Sequence, residues 1–438
     1  MLGFESLHAI ALSAVGLSCA ACSGADVRFG KVDLSASFAA PVEANNLAAS
    51  TLSGAVTGQF AIVPDQDGDG VVDIFVEYSM HGAVDANVPA SEVVVVSGNS
   101  GLRISRGVSR EHRSIRMIGT KVSDNENARL AMLSWMQGEM RLQVVDTRQL
   151  SPAWTRALGA GGSVVGWAGD TGYGGTEAIS LLRNEWGPLG IKGQRITVLS
   201  SESGEPLADL RCDPSPGMEA RAIAWVGDRH GDLFGACISY SGSATFGSNR
   251  VLLVSIAAGQ VVWTRAGDDC TSRYGACVAS VPDRNGDGVV DIVIGSPAPL
   301  IGPARADARG TISVLSGVDG SVLAERSYGI NYGQVCSAIA TSASAANPIA
   351  HFYLAGGWLD SDLGSSSNML TLVLAEDLAP IWSVSYMADR IIGMNVLDDV
   401  NDDGSDDWVV AGVEVKSGRD VSVIRCVSGS SGDVLWSL

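Results

Sequence analysis

The sequence predicts an all-β fold, a seven-bladed β-propeller of four-stranded blades, and three observations carry that reading. Its 438 residues include 53 glycines and only 6% aromatic side chains. That composition, rich also in Val, Ser and Thr, suits short strands joined by tight turns, and no amphipathic helical period interrupts it. A layout of apolar run, polar loop and apolar run then recurs seven times, at intervals of roughly 45 to 60 residues. Each copy is followed by a β-rich run, a short turn and a second run, which reads as a hairpin. Two hairpins per copy make four strands, and radial repetition of such units leaves only short edges.

Ahead of the repeats, residues 1–21 read as a signal peptide: an apolar run from about Leu7 to Leu17 is too short to span a bilayer. The "AACSG" that follows resembles a bacterial lipoprotein processing site, which would place a lipid on Cys22; cleavage after Ala25 is the plain secretory alternative. Residues 22–50 read as a tether in which 26–35 could add a closing strand, and 51–438 as the propeller. The expected location is an outer-membrane or cell-surface lipoprotein, or else a secreted or periplasmic protein, touching the membrane only through its lipid. Six cysteines remain after the leader (Cys212, Cys237, Cys270, Cys277, Cys336 and Cys426). Their pairing is open, and without a CxxC they make no zinc ribbon.

In chain order, the first copy holds "VPDQDGDGVVDIFV" (63–76), the fifth "VPDRNGDGVVDIVI" (281–294) and the seventh "LDDVNDDGSDDWVV" (397–410). The second, third, fourth and sixth copies keep the layout with weaker loops, of which the third keeps only Glu177 and the fourth Asp228 and Asp232. Trp154, Trp263, Trp382 and Trp436 recur in the predicted last strand, where they are expected to pack between adjacent blades.

The acidic loops have the donor spacing of a metal site. Numbered from its first aspartate, the first loop offers oxygens at positions one, three, five and nine (Asp65, Asp67, Asp69 and Asp73), with the Val71 carbonyl at seven. The fifth copy offers Asp283, Asn285, Asp287 and Asp291 with Val289, and the seventh Asp399, Asn401, Asp403 and Asp407 with Ser405. Position six is Gly70, Gly288 or Gly404, where the chain must turn sharply. Hard oxygen ligands in this number suit Ca²⁺ better than Mg²⁺, so about three calcium ions are expected. An EF-hand is excluded, because position twelve is Val76, Ile294 or Val410 rather than Glu.

The stretch "YGACVASVPDRNGDGVVDIVIGSP" (274–297) resembles the FG-GAP repeat of integrin α-chain propellers and bacterial VCBS-type proteins, with Tyr274-Gly275 and Gly295-Ser296-Pro297 in the signature places. The resemblance implies a seven-bladed propeller with calcium-binding hairpin loops between first and second strands. It further implies adhesion or ligand binding, here as a non-catalytic module, most simply a monomer, for a protein or acidic polysaccharide at the cell surface.

Strand alternation would place a ligand on the face opposite the metal loops, among the second-to-third loops. Trp186 and Trp358 in those loops are candidate exposed anchors, or else tuck their loops down. The segment "RISRGVSREHRSIR" reads as a connector holding Arg103, Arg106, Arg110, Arg113 and Arg116, either a positive patch for carboxylates or a solvated link. A net charge of −19 excludes nucleic acid as a general partner. Catalysis has little support, since no G-x-S-x-G or H-E-x-x-H is present. The alternative function is a propeller-scaffold enzyme, a polysaccharide lyase or glycosidase using His112 and Arg113, or a quinoprotein, whose blade ends "GDVLW" and "GQVVW" mildly resemble.

Overall fold

The computed structural model describes residues 55–438 apart from position 64 and the segments 80–90, 110–112, 119–128, 137–138, 147–150, 160–162, 171–176, 188–189, 213–218, 227–234, 242–248, 257, 268–273, 298–309, 329–333, 343–350, 358–367, 375–376, 387–389 and 417–418. The leader, the tether, the conceivable closing strand at 26–35, Cys22, Arg110, His112 and Trp358 lie outside the described residues.

The fold is an all-β propeller, and among the described residues every regular element is a strand. The strands group into four-stranded sheets spanning 55–109, 113–159, 163–212, 219–266, 277–327, 334–386 and 390–437, here the first to the seventh sheet. Each sheet is an antiparallel meander of four consecutive strands, so its first-to-second and third-to-fourth turns share one end. The third and fourth strands of every sheet carry a register shift at the same step, between Val95 and Val96 in the first and between Cys426 and Val427 in the seventh.

The cores lie between sheets. Ala61, Val63 and Phe75 of the first sheet bury themselves against Leu130 and Val145 of the second, and comparable clusters join each sheet to the next. Phe60, Ile74 and Val94 of the first sheet also pack on Leu397, Val409, Ala411 and Ile424 of the seventh. The ring of sheets thus closes by packing.

The four tryptophans occupy one register position in the fourth strands, opposite Val144, Leu253, Leu372 and Cys426 of the third strands. Each docks on the third-to-fourth turn of the following sheet, its indole N–H donating to the carbonyl of Ser201, Gly317, Gly429 or Gly98. Packing between adjacent blades is therefore what these side chains do.

Two expectations need correction. The loop expected around Trp186 is mostly strand: Glu177–Gly187 and Gly190–Ser200 pair from Ala178 opposite Ser200 to Gly187 opposite Gly190, with Trp186 opposite Ile191. Its polar residues pair across strands: Gln194 Nε2 donates to Asn184 Oδ1 at 2.7 Å, and Arg195 bridges Glu185 and Asp209. The arginine-rich "connector" is likewise two strands, Arg103–Ser109 and Arg113–Ile118, separated by three residues. Arg103 starts its strand at the acidic-loop end of the first sheet, Arg106 lies midway, and Arg113 opens the second sheet at the opposite end, so these arginines do not line one connector.

Candidate metal centre

Each acidic loop joins the first and second strands of its sheet: Ala55–Val63 to Asp73–Ser79, Cys277–Val281 to Asp291–Ser296, and Arg390–Val396 to Trp408–Lys416. The loops fold on themselves in nearly the same way. At position one, Asp65 accepts the amides of Gly68 and Gly70 at 2.6 and 2.8 Å. Asp283 accepts those of Gly286 and Gly288 at 2.7 and 2.8 Å, and Asp399 those of Asp403 and Gly404 at 3.0 and 2.7 Å. The side chain at position three accepts the amide at five in all three loops. Position six has φ of +91°, +91° and +87°, a left-handed conformation for which glycine is the natural choice.

Position nine is the anchor. Asp73, Asp291 and Asp407 are 0% exposed, and each carboxylate bridges two backbone amides. Asp73 accepts from Gln66 at 2.5 Å and Gly98 at 3.1 Å. Asp291 accepts from Arg284 at 2.8 Å and Gly317 at 3.1 Å, and Asp407 from Val400 at 2.8 Å and Gly429 at 2.9 Å. The second partner is always a glycine in the sheet's own third-to-fourth turn. Position five ties down the same turn, with Asp69 accepting from Ser97 Oγ at 3.1 Å and Asp403 from Ser428 Oγ at 3.1 Å and Ser430 Oγ at 2.6 Å; Ser316 Oγ reaches Asp287 at a longer 3.4 Å. Position seven (Val71, Val289 or Ser405) donates its amide to the carboxylate at five.

These surroundings set the charges. Burial, with Asp67 and Asp65 nearby, pushes Asp73 up to about 7 against the pull of its two amide bonds. Burial raises Asp291 and Asp407 for the same reason. Burial also acts upward on Asp65, but the amides of Gly70, Gly68 and Asp69 outweigh it and hold that carboxyl below its ordinary value.

The first loop brings oxygens of Asp65, Asp67 and Asp73 within 4.8 Å of one another. Asp69 lies outside that trio, and the other two loops, with Asn285 and Asn401 at position three, form no such carboxylate trio among the described residues. Asp73 spends one hydrogen bond on each oxygen, and a carboxylate has about four lone-pair sites, so both oxygens keep capacity for a cation. The donor chemistry fits a hard divalent ion.

The turn residues Ser97, Gly98, Ser316, Gly317, Ser428 and Gly429 were not among the expected site residues. Their signal is a Ser-Gly pair directly after the third strand, present in the three copies with acidic loops; the third and fourth copies have Ser200-Ser201 and Ser255-Ile256 there. Of the candidate ligand residues, Arg106, Arg113 and Trp186 have their backbones within strands.

No protein-family model matches the sequence, and no curated protein matches it. Among solved structures, the chain is similar to one described as "Structure of Dos1 propeller", at 11% identity and a TM-score of 0.48, over 86% of this chain and 82% of that one. It is also similar to "Dihydro-heme d1 dehydrogenase NirN in complex with DHE", at 14% identity and a TM-score of 0.44, over 95% of this chain and 81% of that one. Identities and scores this low say nothing of activity, and the propeller described above rests on this chain's own sheets.

Proposed function

We propose that the chain is an exported, calcium-stabilised, seven-bladed propeller of the FG-GAP type, serving as a non-catalytic binding or adhesion module for a protein or acidic polysaccharide at the cell surface. The observation that supports it is the threefold repetition, in three separate sheets, of one donor spacing, one left-handed glycine and one buried aspartate bridging two amides. In the first loop, where oxygens of Asp65, Asp67 and Asp73 lie within 4.8 Å of one another, the carboxylates repel one another unless a cation offsets their charge. Asp65, Asp67, Asp69 and Asp73 would hold one ion with the Val71 carbonyl, and the loops at 283–291 and 399–407 the other two. In this reading the ions clamp the blade hairpins, and the partner uses the opposite end of the sheets, where the second strands end and the third strands begin.

Elemental analysis of the purified protein, paired with thermal melts with and without chelator, tests the reading. The expected result is about three calcium ions per chain and a melt lowered by several degrees on chelation, since a ligand held at a hundred times its Kd stabilises by about 2.7 kcal/mol per site. A metal-free protein indifferent to chelator would reduce the loops to acidic turns and remove the basis for the FG-GAP assignment.

A further inference from the structure

Three turn glycines stand between two systems that the sequence keeps far apart. Gly98 donates its N–H to Asp73 Oδ1 at 3.1 Å, while its carbonyl accepts the indole N–H of Trp436 at 2.9 Å. Gly317 joins Asp291 (3.1 Å) to Trp263 (3.2 Å) in the same way. Gly429 joins Asp407 (2.9 Å) to Trp382 (2.9 Å). In every case the aspartate belongs to the glycine's own sheet and the tryptophan to the preceding sheet of the ring. Each of the three acidic loops is thus one residue away from an interface between sheets.

The junction has little slack. A Cβ on Gly98 would stand 1.9 Å from the Val72 carbonyl oxygen, so the turn is pressed against the loop's exit. The turn is closed by bonds between Ser97 and both Gly101 and Leu102, and the Trp436 ring lies over Gly101, where an added Cβ would meet Cδ2 at 2.9 Å. Movement of the loop must therefore move the platform on which the tryptophan sits.

We infer that each acidic loop and the tryptophan docked beside it form one coupled device: a divalent cation in the loop fixes the receiving turn, and the docked tryptophan raises the loop's affinity for the cation. This rests on the calcium reading above. Without a cation the loop carboxylates repel and loosen the turn; with one, Asp73 is pinned and carries Gly98 with it. Such coupling is reciprocal, so loss of docking must weaken binding by the factor by which binding strengthens docking. The chain supplies its own control, because Trp154 docks on Ser201 at 2.8 Å in a sheet whose first-to-second segment lacks the acidic pattern.

Calcium titration calorimetry on Trp436→Phe and Trp154→Phe tests the device, since Phe keeps a ring to pack while losing the N–H. In Trp436→Phe one site is expected to weaken about fivefold or more with the others unchanged, and in Trp154→Phe all sites should keep wild-type affinity. A second measurement needs no variant: acrylamide quenching of the wild-type tryptophans should fall when calcium is added to chelator-treated protein. Bound calcium with unaltered affinity in Trp436→Phe, or with quenching unmoved, overturns the coupling and leaves the metal reading standing. Absence of bound calcium overturns both.

Discussion

At the scale of single residues, the turn glycines are explained by where an oxygen sits. Added Cβ atoms at Gly98, Gly317 and Gly429 would come within 1.9, 2.1 and 2.0 Å of the carbonyls of Val72, Val290 and Asp406. Those are backbone atoms, so the conflict is relieved only by separating turn from loop. Gly98→Ala is therefore expected to cost about 3 kcal/mol, at the upper end of overpacking costs, read from denaturant midpoints. Gly68→Ala, at φ +84° with open space around it, should cost only the left-handed penalty of about 1 to 2 kcal/mol. The donor positions of the loops were legible in the sequence because ligand spacing is local. Their hydrogen-bond partners were not, because Asp73 and Gly98 meet only after two strands have paired.

At the scale of elements, neighbouring sheets mate through complementary volumes. Where the fourth strand carries Trp154, Trp263, Trp382 or Trp436, the next sheet's turn offers Gly204, Gly320, Gly432 or Gly101 beneath the ring. Where the fifth sheet has Ala324 at that register position, the sixth offers Leu378, fully buried and held at φ +58°. Its carbonyl accepts the Tyr328 hydroxyl at 3.0 Å. Leu378 accepts a backbone strain because its side chain fills the place an indole would occupy. Ala324→Trp and Leu378→Gly should each destabilise by about 2 to 4 kcal/mol, by overfilling and by a cavity. The double variant is expected to recover at least 1 kcal/mol of their sum in a double-mutant cycle. The hairpins were readable from turn residues, and the tryptophan period pointed to the interfaces. The long pair at 177–200 was not readable: Asn184, Glu185, Gln194 and Arg195 look like loop residues until cross-strand bonds satisfy them.

At the scale of the whole molecule, one interface differs from the rest. Trp154, Trp263 and Trp382 reach carbonyls 47, 54 and 47 residues away, whereas Trp436 reaches one 338 residues away. Loop closure over the longer separation costs roughly 2 kcal/mol more in chain entropy, and no short connector holds the first and seventh sheets together. The seam is the interface expected to open most readily. Hydrogen exchange on Trp436→Ala should show protection falling together in the first and seventh sheets, whereas Trp154→Ala should show a smaller loss confined to the second and third. Equal effects would mean that the seam is no weaker than its neighbours.

The mating of sheets also has an arithmetic. Sheets two, four and six give a tryptophan, and sheets one, three and five receive one while carrying Ser105, Ala208 and Ala324 at the giving position. A strict alternation of givers and receivers cannot be completed round a circle with an odd number of members. The seventh sheet resolves the mismatch by doing both, taking Trp382 on Gly432 and giving Trp436 to the first. Removing the seventh sheet alone would bring Trp382 of the sixth onto Gly101 of the first and leave a strict alternation, so the seventh is the member whose loss or repetition keeps every ring on a receiving glycine.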